Sequence, residues 1–492
     1  MKGDEPTTEE LATTADHGAA VVSSVEPKIS HAVLLTAAQL SRGLFRLLFV
    51  IVAARALGPS QFGVYALLLA MVEMLAVATG SGYTDYLTRE AAKDERLGWG
   101  LCGQLTRLRL AYTIPFTAVV LGGLWTLGYP RAVMVATVWM SLSLIPRSLS
   151  EAVQGVLRGT GRYLEFLLVE LAFGIALAAG AGLLLVSGGG LREVVATEVA
   201  GSVAAAAFAL FFALKYRTKQ RLRLEKSQLI KASSIFNIYA FVGNLYDRLD
   251  ILMLSRLAGD YATGIYGAAY RPMGTIQLLP YGVLYSLLPT LSRGTGSDAD
   301  RQRLEKAMGL LLSAAFVLVL ATLAFAKTLV PIVFGTGFAE SASALKVLIW
   351  AVIPRYLNFA LNISLLAAAH ERVFAVTSLV CLAVNVITNL LFIPRYSWRA
   401  AAVVTIATEL VLLIQNIYWL RRLTGSTPMP LGWLRVSLVF ALLTGLTVAA
   451  AKFVSPVAAG IVCLLVYLAY LYRTGMVAEF AAVWRTAGSS SS

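Results

Sequence analysis

Between Ala32 and Tyr472 the sequence divides into about fourteen continuous apolar runs, each near the roughly 20 residues that a helix needs to cross the hydrocarbon core of a bilayer. None keeps up a two-residue alternation, so the runs call for helices rather than the strands of a barrel. Composition agrees: 58% of residues are hydrophobic and 14% charged, with a mean hydropathy of +0.74, an apolar share beyond that of soluble domains. The expectation is an all-α polytopic membrane protein. A net charge of +14 would raise the question of nucleic acid in a soluble chain, but here membrane topology accounts for it and no nucleic-acid partner is implied. With the N-terminus inside, cytoplasmic loops hold 22 Lys and Arg residues and the opposite loops 9 before the tails are counted, which satisfies the positive-inside rule. Both termini are then expected in the cytoplasm.

Much of the chain is written twice. The stretch RALGPSQFGVY, Arg55 to Tyr65, returns as RLAGDYATGIY, Arg256 to Tyr266. Arg55 matches Arg256, Gly58 matches Gly259, Gly63 matches Gly264 and Tyr65 matches Tyr266, all at a spacing of 201 residues. Further on, the triplet at Ile145, Pro146 and Arg147 recurs at Ile353, Pro354 and Arg355, and Arg162 answers Arg372, at spacings of 208 and 210. One loop insertion accounts for the difference. Matches in the same order between similar hydrophobic segments imply two homologous halves.

This divides the chain into an acidic cytoplasmic tail (1–30), a six-helix lobe (31–214), a basic cytoplasmic linker (215–231), a second six-helix lobe (232–422), an extra helix pair (431–475) and a cytoplasmic tail (476–492). The linker suits contact with anionic lipid headgroups. The extra pair has no counterpart in the first half and is expected at the periphery. Within the first lobe, a charged loop holding Asp85 to Arg96 should lead to a third helix over Leu105 to Leu127, and a fourth helix should run from Arg131 to Val156 with Pro146 and Arg147 near its middle. Cys102, Cys381 and Cys463 read as small core residues, and His17, His31 and His370 as solvated ones. No metal or cofactor is expected from them.

Ionisable residues within the spans are costly and normally face a bundle interior or a wet cavity. Arg42, Arg46, Arg147, Arg248, Arg271 and Arg355 stand there against Glu73, Glu165, Glu170, Glu198, Asp247, Asp250 and Glu409. For the acids, pairing across helices is the expected role, with Asp247 and Asp250 plausible partners of nearby Arg248. The arginines read differently. Arg42 and Arg46 stack on one helix face, the Pro-Arg pairs recur in both halves, and guanidinium groups grip phosphate by bidentate hydrogen bonds.

The motif RALGPSQFGVY, the stretch DRLDILMLSRLAGDYATGIYGAAYRP (Asp247 to Pro272) and LLPTLSR (Leu287 to Arg293) resemble the polysaccharide-export and Wzx-type flippases of the multidrug/oligosaccharidyl-lipid/polysaccharide exporter superfamily. The resemblance covers nearly the whole chain. It implies two six-helix lobes facing a central cavity, about 14 transmembrane helices, and alternating access that carries a lipid-linked oligosaccharide to the outer leaflet of the cytoplasmic membrane, usually on undecaprenyl diphosphate. Membrane lipids and a polymerase or glycosyltransferases of the same pathway are the implied partners. Ser41 with Arg42, and Arg271, resemble cavity positions of the related peptidoglycan-precursor flippases. The acid that follows the second arginine there is replaced here by Leu47, so coupling chemistry does not carry over. The expectation is a transporter, with Arg42, Arg46 and Arg271 drawing in the diphosphate, Arg147 and Arg355 flanking the cavity, and Glu73, Asp247, Arg248 and Asp250 as coupling or ion-pair candidates. A cation-coupled exporter of small molecules is the alternative within transport. A membrane-embedded glycan polymerase or ligase is the alternative among enzymes, against which stand the short outer loops and the lack of a phosphate loop.

Overall fold

The computed structural model describes residues 29–80, 82–216, 245–276, 279–280, 298–367, 371–424, 432–450 and 455–475. All regular structure among them is helical. Nine helices among these residues are long and apolar enough to cross a membrane, and the first of the nine makes two passes. This helix, α1 (Ile29–Ala78), leaves helical geometry at Gly58, where φ is +66° and Pro59 follows. Arg46 and Glu73 nevertheless approach to 3.9 Å. In a straight helix 27 residues span about 40 Å, so the two arms fold back on one another at Gly58. The second half repeats the device. Helix α8 (245–257) and helix α9 (Gly259–Ile276) meet at Gly259, with φ +85°, and Asp250 accepts a hydrogen bond from Tyr266 at 2.8 Å across the turn. Both reversals use the one residue type that reaches positive φ without steric cost.

The first half continues with α2 (Gly82–Lys93), α3 (Glu95–Thr126), α4 (Arg131–Ser141), α5 (Leu144–Gly159), α6 (Tyr163–Ser187) and α7 (Leu191–Lys215). The charged loop expected before the third helix is instead the amphipathic α2, which buries Tyr83, Tyr86, Leu87 and Ala91 while showing Arg89 and Lys93 to solvent. Helix α3 accordingly starts at Glu95, capped by Asp94, which accepts from the Arg96 N–H at 2.8 Å. The expected fourth helix breaks at Leu142 and Ser143, just before the Ile-Pro-Arg triplet. The second half has α10 (Asp298–Phe334), α11 (Ala339–Leu348) and α12 (Val352–Ala367), with a 3-10 turn at Ile349–Ala351 just before its own triplet. The break is thus a duplicated feature. Helices α13 (Glu371–Tyr396) and α14 (Trp398–Thr424) complete that half.

The extra pair, α15 (Gly432–Ala450) and α16 (Pro456–Arg473), packs against α10. Phe440 stacks on Phe316 of α10 with ring centroids 3.9 Å apart, and Gly460 lies so close to Ala324 that a Cβ would come within 2.1 Å of the alanine methyl. The linker residues 217–231, both tails (1–28 and 476–492), His17, His370, Pro289 and the LLPTLSR motif lie outside the described residues. The three cysteines are buried and unbonded, and Pro272 sits inside α9.

Buried apolar side chains fall into three large groups. One, around Phe49, Tyr65, Ile265, Tyr266, Phe334 and Phe338, draws on both halves near the Gly58 and Gly259 turns. A second, around Leu87, Leu105, Val153 and Phe212, belongs wholly to the first half, and a third, around Leu311, Tyr356 and Tyr467, to the second half with the extra pair. The halves therefore share a core at the end carrying the two turns and keep separate cores at the other.

Candidate functional site

Helix α1 places Arg42 and Arg46 one turn apart on one side. Helix α5 buries Val153, Val156 and Leu157 against its own half, which turns Arg147, Ser150, Glu151 and Gln154 the other way. With Glu170 and Phe173 of α6 and Glu198 and Ser202 of α7 they wall a pocket lined by charged side chains among the membrane-spanning helices.

Every arginine of this pocket is held from behind by a carboxylate. Arg42 donates to Glu170 Oε1 at 3.0 Å, and Gln154 donates to the same oxygen at 3.1 Å. Arg46 donates to Glu198 at 3.4 Å, and Tyr65 donates its hydroxyl to the same Glu198 oxygen at 2.7 Å. Arg147 and Arg109 both donate to Glu151, each at 2.5 Å. Arg109 also donates to the Ala76 carbonyl at 3.2 Å. Glu170 and Glu198 are each 3% exposed, whereas the Arg42 side chain remains 38% exposed. Burying the acids and leaving the guanidinium edges open fixes the arginines in place and keeps their spare N–H donors for a ligand. The sequence singles out neither Arg109 nor Glu151. The four-residue spacing of Arg147 and Glu151 was the signal for that pair.

Glu73 links the halves, because it pairs with Arg248 of α8 as well as facing Arg46. Arg271 of α9 stands beside this bridge, under the influence of Tyr65, Arg248, Glu73 and Arg46. Among the described residues it forms no ion pair, and its Nε is buried without a hydrogen-bond partner. The local pairing expected of Arg248 with Asp247 and Asp250 is absent among the described residues. Asp247 instead faces Arg355 at 3.5 Å.

Arg355 is buried in the second half and stands apart from the residues lining the pocket. It donates to Glu409 at 2.7 Å and to the Tyr270 hydroxyl at 3.4 Å, while Asn358 donates to the other Glu409 oxygen at 3.0 Å. Asp250, 5% exposed, has no cation beside it among the described residues. Its Oδ1 accepts from Asn385 at 3.0 Å and Asn389 at 2.8 Å, and its Oδ2 from Tyr266 at 2.8 Å and Thr405 at 2.9 Å. One half thus presents arginines to a pocket, and the other closes over a carboxylate satisfied by neutral donors. Among the described residues no group of three or more His, Cys, Asp or Glu is placed to hold a metal ion.

Residues 30–295, more than half of the chain, match the family model described as polysaccharide biosynthesis protein. The chain belongs to this family. A probable low-salt glycan biosynthesis flippase, Agl15 of Haloferax volcanii, is 22% identical over 377 residues, covering 75% of this chain and 78% of its own. Among solved structures, the lipid II flippase MurJ in an inward closed conformation aligns with a TM-score of 0.66 at 13% identity, over 90% of this chain and 99% of that one. An inward-facing multidrug resistance MATE transporter of the MOP superfamily aligns with a TM-score of 0.62 at 14% identity, over 78% and 94%. The structural matches establish the fold shared by this family and the MOP superfamily transporters, a multi-pass helical membrane protein.

Proposed function

We propose that the protein is a flippase that carries a lipid-diphosphate-linked oligosaccharide across the cytoplasmic membrane for cell-surface polysaccharide assembly. The observation that carries this reading is the guanidinium cluster within the membrane: Arg42, Arg46 and Arg147 held by buried glutamates at the pocket, with Arg271 standing without an acidic partner among the described residues. A cation left unneutralised at this depth is costly, and a ligand that brings negative charge offsets that cost. A diphosphate does so with oxygens that match the guanidinium fork. The family and the glycan flippase relative point to the same class of cargo.

In this reading the lobes 31–214 and 232–422 rock about the shared core, with the N- and C-termini in the cytoplasm, and the pair 431–475 braces α10. The first lobe binds the charged head of the cargo. Asp250 answers to a coupling cation or proton, since its surroundings supply dipoles but no compensating charge. Undecaprenyl diphosphate is the carrier the resemblance implies, and a polymerase or glycosyltransferase would receive the product.

The test is to delete the gene and treat intact cells with a membrane-impermeant glycan-oxidising probe. Lipid-linked oligosaccharide should accumulate and stay shielded from the probe. A pool of normal size, fully open to the probe, would refute the proposal.

A further inference from the structure

Four glutamates face the arginines of this site, and one of them is held differently from the rest. Glu151, Glu170 and Glu198 each accept two side-chain hydrogen bonds, at distances from 2.5 to 3.4 Å. Glu73 lies 3.9 Å from Arg46, beyond hydrogen-bond reach. Its Oε2, although paired with Arg248, is buried without a hydrogen-bond partner among the described residues. The Nε atoms of Arg248 and Arg271 are buried in the same condition. Arg147 and Arg271 also stand close enough to act on the Glu73 carboxylate electrostatically. Four guanidinium groups, drawn from both halves, thus converge on one weakly bonded acid. Leu69 and Val72 line the pocket, and Glu73, four residues after Leu69, lies on the same side of the helix. Buried donors and acceptors without partners are costly, and a purely structural bridge would have closed them as the other three glutamates do.

We infer that Glu73 holds the place of the cargo's phosphate: its carboxylate occupies the arginines between cargoes, yields them when a diphosphate arrives, and takes them back as the cargo leaves. The inference rests on the flippase reading above and adds how the cargo is let go. Arginines with no anion beside them are costly at this depth, so a site of arginines alone would bind its cargo and retain it. A carboxylate already among them stabilises the unloaded protein and weakens net binding, which makes release feasible. The geometry suits an exchangeable ion. A diphosphate carries oxygens on two phosphorus atoms and can reach the unused Nε donors of Arg248 and Arg271, which the single carboxylate of Glu73 does not satisfy. Glu151, Glu170 and Glu198, each held by two donors, stay in place and keep Arg42, Arg46 and Arg147 aimed.

The experiment measures binding of farnesyl diphosphate, with farnesol as the uncharged control, to the purified full chain in lipid nanodiscs. Glu73→Gln should tighten diphosphate binding by roughly tenfold, well within the attraction between unit charges about 4 Å apart near a protein surface, and leave farnesol unaffected. The same variant should deliver the lipid-linked oligosaccharide pool to the impermeant probe more slowly than the parent, because its cargo is released late. A structural bridge predicts the opposite, since its loss would loosen the site. Arg248→Gln covers the case in which Glu73→Gln alone does not fold. With that bridge already gone, adding Glu73→Gln should still tighten binding relative to Arg248→Gln, because Arg46 and Arg271 remain to be released. Unchanged or weaker binding on removing Glu73 in both backgrounds would overturn the inference and leave the flippase reading standing. Failure of the parent and of every variant to bind the diphosphate would strike the flippase reading itself.

Discussion

Glu151 holds two arginines at once, and its removal offers a direct measure of what the buried charges contribute. Arg109 is 3% exposed, and its guanidinium is held by Glu151 and the Ala76 carbonyl. Glu151→Gln leaves this cation in the interior without its counter-ion. Breaking a buried pair by removing one partner costs about 3–5 kcal/mol. At about 2 °C per kcal/mol for a unit of this size, the melting midpoint should fall by roughly 6–10 °C. The double variant Arg109→Leu with Glu151→Leu removes both charges. Arg147, 24% exposed at the pocket, can then turn to water, so the double variant should lose about 2 kcal/mol or less, because apolar replacement of a whole buried pair is often close to neutral. The assay is built into the chain. Cys102, Cys381 and Cys463 are all buried, so a dye that fluoresces on reacting with thiols reports their exposure as purified protein is heated. Equal losses in the single and double variants, or losses that simply add, would refute the pairing argument.

Other consequences follow from the same geometry. Arg271→Ala should abolish glycan display while leaving the amount of protein in the membrane unchanged, whereas Arg355→Ala, which strips Glu409 of its cation, should lower that amount itself; immunoblots beside surface-glycan staining separate the two. Asp250→Asn should leave glycan display at the level of wild-type cells treated with a cation ionophore and make it insensitive to that ionophore, and full ionophore sensitivity would remove Asp250 from coupling. Gly259→Ala meets no neighbour within 4 Å and bears only the cost of positive φ, about 1–2 kcal/mol, so its melting midpoint should fall by a few degrees. Gly264→Ala drives a methyl into the Pro59 carbonyl and should cost visibly more in the same measurement.

The helices were legible because the bilayer enforces a length and an apolar face that the chain cannot disguise. The duplicated turns were legible because both Gly58 and Gly259 must adopt positive φ, and that need preserved the spacing around them. Helix α2 was hidden by its short length and by Asp85, Arg89, Glu90 and Lys93, which read as loop until Tyr83, Tyr86 and Leu87 are seen on a single buried face. Arg42, Arg46 and Arg147 could be picked out as charges in apolar runs. Their partners could not, since Glu170 and Glu198 stand 128 and 152 residues from the arginines they hold. The same distance effect misled the reading of Arg248: Asp247 and Asp250 are its neighbours in sequence, yet its carboxylate is Glu73 of the other half. Nothing local marks Asp250 as a buried acid with no cation beside it among the described residues, because Asn385, Asn389 and Thr405 reach it from α13 and α14.

A contact in which Gly63 of α1 meets Asp260 of α9, the counterpart of Pro59, while Gly264 meets Pro59 itself is isologous, the arrangement by which two identical subunits close a dimer. Here both subunits lie on one chain. Tyr65 ties one of the crossing helices to Glu198 of its own half, and Tyr266 ties the other to Asp250. Each half therefore grips its own side of the axis by the same lever, two residues beyond the glycine. One of these bonds ends at the acid that holds Arg46 and the other at the acid proposed to take the coupling ion, so both sites are tied directly to the helices that cross at the axis.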